Sequence, residues 1–282
     1  MWKRKLCLGT SKGFDLTTDE QIRLFAETGF EGFFTDSLEN LKECRQVGDS
    51  LGMLYQSIHA PFGNAAKMWR DDCDVAVKEL FETLEKCHEV EVDLLVCHTW
   101  ISFDYDDKPN EVGIEAWEKV ISRAKELGVR IALENTEGEE FLDALLNAFS
   151  DRDNVGFCLD TGHEMCYNKS RDLLALYGDR LFSTHINDNL GIRDYNGKIT
   201  WLDDLHLLPF DGIADWEDVA KRLNRCGYDG PLTFELIRRS SFRNQSLKYE
   251  RLDIREYIAE CYARACKFAA FCEKFTLDKS TK

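Results

Sequence analysis

The chain has 282 residues, 44% hydrophobic and 31% charged, the make-up of a globular protein with room for two average domains or one α/β barrel of about 250 residues. Its 36 Lys and Arg against 52 Asp and Glu give a formal charge of -16, which disfavours a nucleic-acid partner and favours a small molecule. No apolar run approaches the ~20 residues of a membrane span, the start MWKRKLCLGTSKGF lacks a signal peptide's apolar core, and 11 cysteines without a CxxC pair read as reduced core residues, so a cytoplasmic protein is expected.

Short apolar runs alternate with amphipathic stretches along the whole chain. A first run, 5–11, precedes a helical pattern over 17–29 that opens with a capping box of Thr17 and Glu20 and closes on Gly29. Runs at 32–36, 54–61 and 94–100 follow, with further helical patterns over 74–90 and 113–128. The remaining runs are 130–136, 155–163, 181–188 and 232–237, and a long helical pattern, 254–275, lies near the end. Eight strands alternating with helices predict a (β/α)8 TIM barrel; a doubly wound open sheet is the runner-up, since periodicity does not show closure. No Pro/Gly/Ser-rich linker divides the chain, so residues 1–282 read as one domain. The seventh unit departs from the rhythm, with residues 189–214 between its strand and the next helix. Trp201, Leu205, Leu207, Leu208, Pro209 and Phe210 make this segment too apolar for a loose linker and predict that it folds over the barrel mouth.

Polar residues recur at one address, the carboxyl ends of the expected strands. His59 ends the third, His98 the fourth, Glu134 the fifth, Asp160 and His163 the sixth, His185 the seventh and Glu235 the eighth. The long segment adds Asp204 and His206, so this set holds five of the six histidines; the sixth, His88, reads as a helix-surface or packing residue. In a barrel these strand ends converge on one mouth. Any one of them alone is more often a core histidine or a turn cap, and Asp160 suits the N-cap of a following helix. Together they point to a metal site, because clustered carboxylates repel unless cations neutralise them. Imidazole and carboxylate without thiolate suit Mn²⁺, Mg²⁺, Co²⁺ or Zn²⁺. The run GTSKG at 9–13 fits neither a P-loop nor GxGxxG, so no nucleotide cofactor is indicated.

HAPFGN (59–64), LENTEG (133–138), CLDTGH (158–163), HINDN (185–189), DLHLLPFDGIADW (204–216) and TFEL (233–236) occur in that order. As an ordered set they resemble the xylose-isomerase-like barrel superfamily, which holds sugar isomerases and epimerases together with family 2 apurinic/apyrimidinic endonucleases. The resemblance to the sugar branch implies one divalent metal (Mn, Mg or Co) on Glu134, Asp160, His185 and Glu235. The two glutamates would serve as acid and base through a cis-enediolate, and His163 would bind a substrate hydroxyl. It also implies a substrate contact from Glu140, and possible homodimers. The resemblance to the endonuclease branch implies zinc ions on nine ligands, with His59, His98, His163, Asp204 and His206 as the additional ones and Phe62 set against DNA.

Asp36 and Glu39 stand in TDSLEN where a DNA-intruding loop would want arginine, and the long segment is not basic. The expected activity is therefore a metal-dependent sugar or sugar-phosphate isomerase/epimerase, with the zinc-dependent abasic-site endonuclease as the alternative. Arg193 and Lys198 are candidate cations for a substrate phosphate or carboxylate, against a solvated loop face. Trp100 is a candidate to stack on a sugar, against packing under a loop, and Trp216 is expected in the core.

Overall fold

The computed structural model describes residues 2–192, 198–238 and 248–277. Its strands are β1 (Leu6–Gly9), β2 (Gly32–Thr35), β3 (Leu54–His59), β4 (Leu94–His98), β5 (Arg130–Glu134), β6 (Val155–Asp160), β7 (Leu181–His185) and β8 (Leu232–Phe234). β1 to β7 pair in chain order, each parallel to the next, and β8 pairs with β1. The ring closes just beyond β7, where Ile186 bridges Phe234: Ile186 N donates to Thr233 O at 2.8 Å and Glu235 N to Ile186 O at 3.3 Å. The barrel is thus nearly closed, as the alternation of runs predicts.

The helices are α1 (Thr18–Thr28), α2 (Leu41–Ser50), α3 (Asp74–Glu89), α4 (Glu111–Glu126), α5 (Glu139–Ala148), α6 (Thr161–Cys166), α7 (Leu173–Tyr177), α8 (Trp216–Arg225) and α9 (Ile254–Leu277). Glu20 accepts from Thr17 N at 2.9 Å at the start of α1, so the expected capping contact is present. The main core lies between sheet and helices, where Phe25, Leu84, Trp117, Phe141, Phe157 and Tyr257 are buried. All eleven cysteines are free thiols. Among the described residues no helix is long and apolar enough to cross a membrane.

Successive strand residues point to opposite faces, so one set of alternate positions fills the barrel's interior. Leu94, Val96, Ala132 and Cys158 form a small apolar cluster of their own. Two residues further along the same strands stand His98, Glu134 and Asp160, the upper layer of that interior. On β2 the interior position is Phe34, whose ring stacks on His185 with centroids 4.8 Å apart. Gly9 leaves room for that ring, since a Cβ there would run into Phe34.

Every strand stops one to three residues short of its expected run, and in two of them the reason bears on the site. β6 ends at Asp160 and α6 begins at once, which puts His163 on a helix rather than at a strand end. β8 ends at Phe234 because the backbone beyond it changes partners, Ile237 N donating to His206 O at 3.2 Å. The long segment does fold back on the barrel. Asp188 and Leu207 form an antiparallel bridge of two hydrogen bonds, 2.8 and 2.9 Å. The Asp188 carboxylate accepts from Asn189 N (2.8 Å), Phe210 N (2.9 Å), Ala214 N (3.1 Å) and Trp216 Nε1 (3.0 Å). Leu205, Leu207 and Leu208 are buried beneath it.

Candidate metal centre

Nine side chains from seven segments meet at the barrel mouth in three groups, within each of which the ligand atoms lie within 4.8 Å of one another. His59, His98 and Glu134 form one, Glu134, Asp160, His185 and Glu235 a second, and His163, Asp204 and His206 a third. Strand register explains much of this, since His98 pairs directly with Glu134 and Asp160 with His185. Every ligand candidate expected from the sequence is present, and the sets implied for both branches are assembled together.

Glu134 is the hub. Its Oε2 faces His59 Nε2 at 3.1 Å and His98 Nε2 at 3.4 Å, and its Oε1 faces His185 Nδ1 at 3.0 Å and His163 Nδ1 at 3.6 Å. His185 Nδ1 is also 3.2 Å from Glu235 Oε2. Asp160 fills two roles at once. Its Oδ1 caps α6 by accepting from His163 N at 2.7 Å, while Oδ2 accepts from Asn187 Nδ2 at 2.8 Å. The glycine between Asp160 and His163 has a packing reason, because a Cβ on Gly162 would strike Asn187 Oδ1.

These residues fit a metal. His59 Nδ1 lies 2.8 Å from Ala60 O, His163 Nδ1 2.9 Å from Asn135 O, and His206 Nδ1 3.2 Å from Glu235 O. A carbonyl only accepts, so each neutral ring carries its proton on Nδ1 and turns the Nε2 lone pair to the site, the arrangement that orients metal-binding imidazoles. Among the described residues, the ion-pair partners of Glu134, Asp160 and Glu235 are imidazoles, with no lysine or arginine. The ring of His185 leaves Nε2 buried and without a hydrogen-bond partner. His206 sits at φ 46°, in the left-handed region that costs a non-glycine residue free energy.

Without metal the site is an imidazolium–carboxylate network. Burial pushes the Glu134 carboxyl up, but His185, His59 and His98 outweigh it and hold it well below the usual range. Burial likewise opposes ionisation of Glu235, and His185 and His206 bring it down to about 2. Asp160 goes the other way, burial raising it to about 6. For His206, burial favours the neutral ring, yet Asp204 and Glu235 lift it to about 9. His163 and His185 are held well above their ordinary value by the same competition, won by Asp160 and Asp204 in one case and by Glu134 and Glu235 in the other.

A pH signature follows. Raised imidazoles stabilise the metal-free fold fully below their unfolded value of 6.5, and that stability is lost as pH rises towards about 9. A divalent ion needs neutral imidazoles, so its binding expels protons and strengthens with pH. The unfolding midpoint should therefore fall between pH 6.5 and 9 in chelator and fall less, or rise, with divalent metal. A chelator-treated midpoint that rises over this interval would exclude the proposed pairing.

A cavity of about 460 Å³ opens above the ligands, lined by His59, His98, His163, Asp204, His206 and Glu235. Sequence reading missed several of its walls: Lys12, Glu137, Tyr167 and Phe103 line it, as do Asp36, Phe62 and Trp201. Trp100 is not among them; it is wholly buried and stacks on Phe141 with centroids 4.1 Å apart. Lys198 is exposed and pairs with Asp104 at 2.7 Å, and Glu140 takes Lys108 at 3.4 Å and Tyr105 at 3.2 Å. Arg193 lies outside the described residues. Trp216 is buried at the start of α8, as expected, and exposed His88 bonds Leu127 O through Nδ1 at 2.9 Å.

Comparison with known proteins agrees with this architecture. The uncharacterised protein y4fM of Sinorhizobium fredii is 33% identical over 161 residues, 53% of this chain and 49% of that protein, so the match spans about half the relative's length. A probable endonuclease 4 of Mycoplasma capricolum is 29% identical over 118 residues, 38% of this chain and 40% of its own. The solved structure of an L-ribulose 3-epimerase superposes with a TM-score of 0.73 over 99% of this chain and 97% of that one, at 15% identity, a likeness of fold. The family model described as Xylose isomerase-like TIM barrel matches residues 20–261. With barrel, mouth and family model in accord, the chain belongs to the xylose isomerase-like TIM barrel family.

Proposed function

We propose that the protein is a metal-dependent sugar isomerase or epimerase. The observation that carries this reading is the pairing of Glu134 with Glu235 through one imidazole, His185, where Glu235 lines a cavity whose described walls hold a single Lys or Arg, Lys12. Such a lining suits a ligand rich in hydroxyls and disfavours a polyanion. A divalent cation held by Glu134, Asp160, His185 and Glu235 would supply Lewis acidity towards two neighbouring sugar oxygens. Glu235, which lines the cavity, would hold or take the carbon-bound proton, with Glu134 as its counterpart. His163, held by Asn135 O, would position a hydroxyl.

The test is deuterium exchange from solvent into a panel of ketoses and ketose phosphates with Mn²⁺ present. Exchange is expected in the native protein and should drop about 10²-fold or more in Glu235→Gln. Undiminished exchange in both Glu235→Gln and Glu134→Gln would show that the glutamates are wrongly assigned.

A second reading, a zinc-dependent phosphodiesterase acting at abasic sites, is favoured by one specific observation. Glu134 is wholly buried behind four imidazoles, a better place for a carboxylate shared between two cations than for a base that meets substrate. Incision of abasic DNA with clear turnover, alongside two to three firmly held zinc ions per chain, would support that reading over the first.

A further inference from the structure

Two of the ligand imidazoles continue outward into aromatic columns. Phe62 stacks on His98 with centroids 4.6 Å apart and planes at 16°, and is 44% exposed. Tyr167 lies 4.9 Å from His163, and Phe103 lies 5.7 Å from Tyr167. Trp201, 45% exposed, adds a fourth ring from the long segment, and all four line the same cavity. Phe62 and Trp201 are exposed and Phe103 and Tyr167 half-buried, and four rings in one cavity give it the aromatic walls common in small-molecule sites.

Besides Lys12 and the hydroxyls of Thr10 and Ser11, the described polar groups outside the ligand groups and the rings are acceptors. Asp36 and Glu137 line the cavity outside the three ligand groups, and Glu137 Oε1 is buried without a hydrogen-bond partner. A hydroxyl-bearing ring has faces of C–H that cover aromatic surface and edges of O–H that donate to carboxylates. Among the described walls, a phosphate or carboxylate group would meet one cation, Lys12, against two acids, Asp36 and Glu137.

Size points the same way. A six-carbon sugar has twelve non-hydrogen atoms, each smaller in a bonded molecule than a water, whose share of liquid volume is about 30 Å³. Such a sugar therefore needs less than ~360 Å³, whereas the cavity offers about 460 Å³. One ring at the ligand groups leaves space and aromatic surface unfilled above it.

We propose that the substrate is a neutral glycoside, whose reacting sugar sits at the ligand groups and whose second unit lies among Phe62, Phe103, Tyr167 and Trp201. This rests on the sugar reading of the same site. The selecting element is the aromatic mouth, where a single cation among the described residues, Lys12, is available to a phosphorylated ligand.

Calorimetric binding to the Mn²⁺-loaded protein tests it, with lactulose, fructose and fructose 6-phosphate as probes. Lactulose is expected to bind at least about tenfold more tightly than fructose, and fructose 6-phosphate more weakly than either. Trp201→Ala and Phe103→Ala should each weaken lactulose about tenfold and leave fructose within about threefold, with metal content unchanged. Equal effects on both sugars, tightest binding of the phosphate, or no binding of any probe would overturn the proposal. Aromatic-dependent lactulose binding without deuterium exchange into any ligand would uphold this subsite and overturn the isomerase reading alone.

Discussion

Glu134→Gln is expected to abolish turnover and release at least one firmly held metal ion per chain. Glu134 is the only residue shared by two of the three ligand groups, and its two oxygens meet four imidazoles between 3.0 and 3.6 Å. Glutamine keeps the shape but replaces an acceptor with a donor and removes the charge that offsets buried imidazolium. Loss of acid–base help alone lowers the rate about 10²–10⁴-fold, and loss of metal adds to it. In chelator at neutral pH the variant should also be destabilised by about 3–5 kcal/mol, the usual cost of stranding one partner of a buried ion pair. Metal analysis, thermal unfolding and exchange kinetics on the same preparation read all three effects. Native metal content together with native rates would remove Glu134 from the centre of the site.

The second large effect is expected at a residue outside the ligand groups. Asp188 accepts four N–H groups, three of them from residues 210, 214 and 216. Alanine would strand those donors in a buried place, where each lost partner costs about 1–3 kcal/mol before water relieves part of it. A net loss on the order of 3 kcal/mol corresponds to roughly 5 °C in the unfolding midpoint for a chain of this size. The damage should be local. Asp204 and His206 ride on the segment that Asp188 pins, so the group they share with His163 should loosen first, and on the zinc reading any ion held there should leave before the others. The group of Glu134, Asp160, His185 and Glu235 should keep its own. Asp188→Asn, which retains one carbonyl acceptor, should fall between. Equal loss of metal from all groups would mean that Asp188 supports the barrel rather than the segment.

The architecture was legible because strands buried on both faces leave long apolar runs, and because helices announce themselves with caps such as Thr17, Glu20 and Gly29. The ligand candidates were legible for the same reason: a histidine or carboxylate at the end of an apolar run is conspicuous. The supporting cast was not. Asn135, Asn187 and Asp188 lie inside the expected runs 130–136 and 181–188 with no role of their own, and their importance comes from hydrogen bonds to chain 25 or more positions away, as at Asp160 N and Ala214 N. Trp100 follows His98 closely in sequence, yet the strand ends at His98 and the chain turns the indole onto Phe141. Trp201, Tyr167 and Glu137 face the cavity because of where loops turn, which no periodicity encodes.

A ring opens first at its least paired joint. In this barrel that joint is the meeting of the seventh and eighth strands, held by the isolated bridge of Ile186 and Phe234. His185 stands on one side of it and Glu235 on the other, 3.2 Å apart. Whatever cation both side chains share would rivet the two ends of the sheet together. Occupancy should then register as slower amide exchange at Ile186 and Glu235, where the two outer strands of the sheet meet.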